Sequence, residues 1–304
     1  MKVSVIINCH NGSEYLRECL DSVINQSLKD FEIIFFDNMS DDDSSSIASE
    51  YSDVKLFRSS NFVTLGQARN MALKEATGEY VAFIDCDDIW DSHKLELQAN
   101  ELDNNPEIGL VLTNYIRLNM NSNKSFVVYK KTKRKTLMFD ELVSKYHFCL
   151  SSFMIRKTAL IGLDHLFDER FRYAEEFELF SRIAYGWGTI FLPQPLVTYR
   201  IHKKMNTLAL QERVPEEYGL ILNNLRKMDP NIDKTHARAI RWISFCKDFA
   251  ETKNLLKSGN NWTAFKKMRK YFFYNKKAFF MCVLSLLPPL LSKKIIKKHY
   301  ANRY

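Results

Sequence analysis

Glycine and proline are scarce, 9 and 7 of 304 residues, which excludes collagen-like and linker-rich low-complexity chains. The six cysteines, Cys9, Cys19, Cys86, Cys149, Cys246 and Cys282, form no CxxC pair and no His/Cys cluster at zinc-finger spacing. A disulfide scaffold and a zinc module are therefore out, and reduced thiols are the expectation. Neither GxGxxG nor GxxxxGK[ST] occurs, since Gly12 stands alone after the first apolar run; a dinucleotide-binding fingerprint and a P-loop are disfavoured. No apolar run approaches the ~20 residues of a membrane-spanning helix. The N-terminal apolar stretch gives way at Asn8 and His10, too soon for the central region of a signal peptide, so the body is expected to stay in the cytoplasm.

What is present is an ordinary core-forming composition, 46% hydrophobic and 26% charged, enough for one large domain or a domain with an appendage. The charge distribution favours the second. Residues 252–304 carry 13 Lys/Arg and no Asp or Glu, which leaves 31 basic against 36 acidic residues in 1–251. The net +8 belongs to a basic tail on a mildly acidic body, and such a tail suits an anionic surface, either nucleic acid or the cytoplasmic membrane leaflet.

Over the first 118 residues short β-rich runs alternate with amphipathic stretches, the pattern of βαβ units around a mainly parallel sheet. Residues 3–7 are continuously apolar, as in a strand covered on both faces. Tyr15, Leu16, Cys19, Leu20, Val23 and Ile24 fall at helical spacing, so 13–27 is expected to be a helix with one buried stripe. Further strands are expected over 31–36, 54–57, 80–84 and 109–118. Further helices are expected from the 37–42 turn to about 51, over 65–77 with Gly78 as C-cap, and over 92–104. Residues 119–150, with the basic run Lys130-Lys131-Thr132-Lys133-Arg134-Lys135, lack periodicity and read as a long excursion on the acceptor or membrane side. Beyond it, 170–185 reads as a helix, 189–192 and 196–199 as two short strands around Pro193 and Pro195, and the chain from about 212 as helical.

In a doubly wound sheet the ligand crevice opens at the carboxyl ends of the strands, near a topological switch point. Four polar clusters fall there: Asn8-Cys9-His10-Asn11, Asp37-Asn38, Gln67-Ala68-Arg69-Asn70 and Asp85-Cys86-Asp87-Asp88. Turn formation alone favours Asn and Asp at strand ends, but four such clusters converge on one edge. Three carboxylates in four residues repel one another unless a cation neutralises them, and oxygen ligands of this kind suit Mg²⁺ or Mn²⁺. The same residues would also serve as an acidic N-cap near Ile89-Trp90, and spacing leaves both readings open.

These motifs resemble those of a known family. Residues 3–11 look like the SVI-x-x-x-N opening of the inverting family 2 glycosyltransferases, and 37–42 resemble their DDGS-x-D turn. Residues 66–70 are similar to their G-x-ARN segment, Asp85-Cys86-Asp87-Asp88 to their DxDD metal motif, and Ala174-Glu175-Glu176-Phe177-Glu178-Leu179 to their ED-x-D-L motif. The match runs in order over residues 2–203. It implies an α/β nucleotide-diphospho-sugar transferase fold of GT-A type, a Rossmann-like central mixed sheet flanked by helices, using Mn²⁺ or Mg²⁺. By position, Asn8, Asn38 and Arg69 would lie against the uracil or ribose of a UDP-sugar, with Asp37 nearby. Asp85 would face the ribose and donor sugar, and Asp87 would bind the metal, with Asp85 and His202 as further candidate ligands. Glu176 falls on the catalytic-base position with Glu175 beside it as the alternative, and Arg200 and His202 match a late Y-R-x-H element near the diphosphate. Two positions depart from the family: Asn38 stands where it has a second acid, and Glu176 where it usually has Asp.

Residues 278–291 form an apolar run of 14 with Pro288-Pro289 inside it, preceded by Tyr271, Phe272, Phe273 and Tyr274 and flanked by Lys276-Lys277, Lys293-Lys294 and Lys297-Lys298. Such a segment fits an anionic membrane interface. A phosphate backbone has no use for the apolar run, so no nucleic-acid partner is expected. A helix packed on the body with solvated lysines is the plainer alternative. The expected organisation is a catalytic domain over 1–211, with a nucleotide-binding half 1–118 and an acceptor half 119–211, then a helical, basic, membrane-associating extension over 212–304. The resemblance implies a peripheral enzyme on the cytoplasmic face of the inner membrane. It would move a hexose, glucose or galactose in β-linkage, from a UDP-sugar to a lipid-linked acceptor such as N-acetylglucosaminyl diphosphoundecaprenol, in bacterial O-antigen (lipopolysaccharide) or other surface-polysaccharide assembly. One rival is a nucleotidyltransferase making nucleotide-sugars, which would need a Gly-rich basic loop that 8–13 does not supply. The other is a non-catalytic membrane-surface protein that binds a nucleotide or glycan.

Overall fold

Val3–Cys9, the first strand (β1), is buried at nearly every position, because it lies inside a sheet between two parallel partners with both faces covered. The computed structural model describes residues 1–144 and 147–301. The chain folds as two compact units, Met1–Met205 and Asn206–Tyr304; the division expected after 211 lies inside the second.

In the first unit β1 is followed by α1 (Ser13–Ile24), β2 (Phe31–Asp37), α2 (Ser44–Ser49), β3 (Val54–Arg58), α3 (Leu65–Lys74), β4 (Tyr80–Asp85), β5 (Ile89–Trp90) and α4 (Lys94–Asn104). Then come β6 (Ile108–Asn119), β7 (Lys124–Val127), β8 (Lys135–Leu137), α5 (Phe139–Ser144), β9 (Phe153–Arg156), α6 (Glu175–Gly186) and β10 (Gly188–Ile201). Among the described residues the strands form one sheet in the order β3-β2-β1-β4-β9-β6-β10-β5, with β7 also on β6 and β8 also on β10. The strands β1 to β4 are mutually parallel. β9 runs antiparallel to both β4 and β6, so the sheet is mixed. The chain goes from β1 outward through β2 and β3 and returns on the other side as β4, which makes the β1/β4 carboxyl ends a switch point. Leu16, Cys19, Leu20 and Val23 of α1 join Val5, Ile7, Ile84 and Trp90 in one buried apolar cluster.

Several elements depart from expectation. Residues 119–150 hold two edge strands and α5 rather than an unpatterned excursion. Pro193 and Pro195 do not split β10; the strand runs on through register shifts at both, the irregularity a missing N–H imposes. The helix expected over 170–185 begins only at Glu175. α3 stops at Lys74, and Gly78 is not its cap. Gly78 passes so close to β1 that a Cβ would lie 2.6 Å from Ser4 N.

The second unit is helical: α7 (Val214–Met228), α8 (Ile232–Thr235), α9 (Ala237–Ser258), α10 (Asn261–Met268), α11 (Lys276–Ser285) and α12 (Pro289–Ala301). Gly259 ends α9 in the left-handed conformation, φ 87°. Asn275 caps α11, its Oδ1 accepting from Ala278 N at 2.9 Å. One face of α11, Ala278, Met281, Cys282 and Ser285, is buried. Its other face exposes Phe279, Phe280 and Val283, with Leu286 just beyond. Among the described residues no helix is long and apolar enough to cross a membrane.

Candidate functional site

The carboxyl ends of β1, β2 and β4 carry Asn8, Asp37-Asn38 and Asp85 side by side, since the register sets Asn8 opposite Asp85 and Cys9 opposite Asp37. Asn8 Nδ2 is buried without a hydrogen-bond partner. Asp37 is committed to its own turn: it accepts from Ser40 N at 2.9 Å and Ser45 Oγ at 2.6 Å, and pairs with Arg58 at 3.2 Å. Asn38 holds Val63 from both sides, donating to its O at 2.9 Å and accepting from its N at 3.0 Å. A carboxylate could only accept. This clamp fixes Thr64, the N-cap of α3, and so the helix that presents Arg69.

Arg69 is fully buried and joins three elements. It donates to Glu175 Oε1 at 2.7 Å and Asp85 Oδ1 at 3.1 Å, and lies 3.9 Å from Glu176 Oε2. Its guanidinium sits over the Phe167 ring. Glu175 is almost wholly buried, whereas Asp85 and Glu176 keep 33% and 25% of their side chains exposed. Burial pushes the Glu176 carboxyl up to about 8; Arg69 opposes this, and Glu175 and Asp85 add to it. Asp85 is raised to about 6, again chiefly by burial, against the pull of Arg69. Two carboxyls with raised affinity for protons thus face solvent beside a buried cation, a pattern suited to proton transfer.

The carboxylates of Asp85, Asp87 and Asp88 lie with oxygens within 4.8 Å of one another. They are not equivalent. Asp88 is buried, accepts from Ser151 Oγ at 2.5 Å and Arg200 N at 3.2 Å, and is pushed well up by burial and by the charges of Asp87 and Asp85. Its backbone N–H closes the turn onto Asp85 O at 2.9 Å. Asp87 faces His202 Nε2 at 2.9 Å, and His202 Nδ1 is buried without a partner. Arg200 is buried and spent on protein groups: it donates to Asp87 O, Glu18 and Tyr15 O and stacks on the Tyr15 ring. The open oxygens of Asp85 and Asp87, with His202 adjacent, form a hard donor set that fits a divalent cation.

Of the residues singled out in the sequence, Arg69, Asp85, Glu175 and Glu176 form one cluster and Asp85, Asp87, Arg200 and His202 a second. Asn8 lies on β1 between Phe36 of β2 and Asp85 of β4, and Asp37 and Asn38 shape the neighbouring loop. Ser151 escaped notice, although its hydroxyl donates to Asp88 and accepts from Asp85 N at 3.1 Å and its carbonyl accepts from Trp90 Nε1 at 2.9 Å. Nothing in the pattern around it marks a serine 63 residues from Asp88 as the anchor of the acidic turn. Glu18, on the exposed side of α1, carries no mark in the sequence either, and Tyr15, expected only as part of the buried stripe of that helix, is half-buried and lies under the Arg200 guanidinium.

Comparison with known proteins places the chain in a family. The family model described as glycosyl transferase family 2 matches residues 4–163. An uncharacterised glycosyltransferase of Rickettsia typhi is 30% identical over 237 residues, 74% of this chain and 72% of that protein. The Escherichia coli UDP-Glc:alpha-D-GlcNAc-diphosphoundecaprenol beta-1,3-glucosyltransferase WfgD is 34% identical over 122 residues, 40% of this chain and 48% of its own length. In fold the chain is similar to S. aureus TarS 1-349, solved with UDP-GlcNAc, with TM-score 0.69 and 18% identity over 98% of this chain and 92% of that one. With the family model spanning more than half of its residues, the chain belongs to glycosyltransferase family 2 and resembles enzymes of bacterial surface-polysaccharide synthesis.

Proposed function

We propose that the protein is a metal-dependent, inverting hexosyltransferase that takes glucose or galactose from a UDP-sugar and forms a β-linkage to a lipid-linked acceptor, such as N-acetylglucosaminyl diphosphoundecaprenol, in O-antigen or related surface-polysaccharide synthesis. The observation that carries this reading is the placement of Glu176, a carboxyl raised to about 8, on the same buried Arg69 that holds Asp85 of the acidic turn. The donor and acceptor named for WfgD support the choice of substrates.

The acceptor hydroxyl attacks the anomeric carbon as the carbon–oxygen bond to the diphosphate breaks, and Glu176 Oε2 takes the hydroxyl proton. Glu175, paired with Arg69, holds the guanidinium beside the base. Asp85 and Asp87, with His202 as a further ligand, would hold a divalent cation, which when bound would supply charge stabilisation for the departing diphosphate. Asn8 Nδ2, a buried donor with no partner, would meet the uracil or ribose, while Asp37 and Asn38 hold the wall against which the base rests. Arg200 serves by fixing the Asp87 backbone. The first compact unit, Met1–Met205, is read as the catalytic domain and the second as the extension that meets the cytoplasmic face of the membrane.

UDP release from a panel of UDP-sugars with the lipid acceptor, in Mn²⁺ or in EDTA, tests the reading. One sugar turning over only with Mn²⁺, and an Asp87→Ala protein that folds without turning over, are expected; turnover in EDTA would refute the metal role.

A further inference from the structure

The proposed mechanism leaves two thiols at the middle of the crevice unused. The β1/β4 register sets Asn8 opposite Asp85, and the next residue in each case is a cysteine, Cys9 as the last residue of β1 and Cys86 as the first beyond β4. Gly12, at the head of α1, packs closely on both of them: a Cβ there would stand 2.7 Å from Cys86 Sγ and 2.8 Å from Cys9 Sγ. Both sulfurs therefore converge on one point. Neighbouring strands hold their backbones about 4.8 Å apart, inside the span a disulfide bridges. Both thiols are free; Cys9 is buried and Cys86 partly exposed, so a small oxidant can meet the second.

We propose that Cys9 and Cys86 form a reversible oxidation site, at which a hydroperoxide converts the pair into an intramolecular disulfide that locks the acidic turn to the end of β1. The Cys86 sulfur attacks the peroxide oxygen, breaking the O–O bond, releasing water in the case of hydrogen peroxide and leaving a sulfenic acid. The Cys9 sulfur then displaces the sulfenic hydroxyl as a second water. The new S–S bond accounts for the two electrons passed to the peroxide, and a dithiol reverses it by exchange. To bond, the sulfurs must close to about 2.05 Å. That draws Cys86 towards β1 and moves Asp85 and Asp87, on either side of it, out of register with each other. The consequence for cation binding rests on the metal role proposed above; the cross-link does not.

The full-length protein is treated with hydrogen peroxide or with dithiothreitol, alkylated and mapped by mass spectrometry, and Mn²⁺ affinity is measured by electron paramagnetic resonance on each sample. A Cys9–Cys86 cross-linked peptide is expected in the oxidised sample alone, with Mn²⁺ affinity at least tenfold lower and restored by dithiothreitol. Cys9→Ser and Cys86→Ser, each checked for folding by circular dichroism, should show neither change, and Cys9→Ala replaces the first if a buried hydroxyl is not tolerated. Absence of that peptide, or pairing with other cysteines, overturns the site. A cross-link that leaves Mn²⁺ affinity unchanged overturns the lock. Reduced protein that binds no Mn²⁺ refutes the cation reading instead, and the peptide map still decides the thiol pair.

Discussion

Glu176 carries opposite demands. A carboxyl raised to about 8 in the fold from an ordinary 4.5 binds its proton more tightly folded than unfolded. Between those values the folded state holds more protons, so stability falls as pH rises, and the cost is fully developed above the folded value. Glu176→Gln removes this cost. The variant is expected to melt higher than the parent at pH 8.5, with the difference gone at pH 4, as calorimetry without added metal would show. The same change removes the base, and kcat should drop by about 10²–10⁴. A variant that is more stable yet still turns over would leave Glu176 a buried acid and nothing more. The parent's rate should climb on the alkaline side of neutrality, as the base ionises, and that limb should vanish in Glu176→Gln. Arg69 shows why the residue scale was only partly legible. Alone in the sequence it is a helical charge, and the motif around it singled it out; that it meets Glu175, 106 positions later, is a product of the fold.

At the scale of elements, strands with unbroken apolar runs were legible because burial on both faces writes itself into every position, as in β1. β9 was not. Its four residues, Phe153–Arg156, are too few to show a period, and its place between β4 and β6 depends on a long-range pairing that no local signal encodes. Gly78 departs from expectation for a related reason: a glycine after a helix fits a C-cap, but here the need is a close approach to β1. The turn ahead of β9 delivers Ser151 beneath the acidic turn, and the two are expected to stand or fall together. Ser151→Ala leaves buried Asp88 without its shortest donor and should cost about 1–3 kcal/mol, read as a lowered urea midpoint. In an Asp88→Asn background the loss should be smaller, because the group left wanting is no longer a carboxyl. Equal losses in both backgrounds would mean that Ser151 matters for packing alone. KM for the UDP-sugar should rise in Ser151→Ala as the turn loosens.

At the scale of the whole molecule the charge imbalance and the exposed face of α11 make one argument. The tail from 252 carries 13 basic residues and no acid, and electrostatics of that kind is screened by salt. The outward residues Phe279, Val283 and Leu286 are 49%, 42% and 63% exposed and Phe273 is 96% exposed, and apolar contact is not screened. An anionic bilayer would engage both. The two contributions are separable by flotation with phosphatidylglycerol vesicles. Replacing Lys276 and Lys277 with Gln should cost roughly 2 kcal/mol of vesicle affinity at about 1 kcal/mol per charge, and what binding remains should depend less on salt. Replacing Phe279, Val283 and Leu286 with Ser should weaken binding at every salt concentration. Neither set includes a residue of the acidic turn or Glu176, so turnover on a short-chain, water-soluble acceptor should stay at the parent level while turnover on the lipid-borne acceptor falls. Parent protein that remains unbound with anionic vesicles at low salt would refute the membrane role proposed for the outward face of α11.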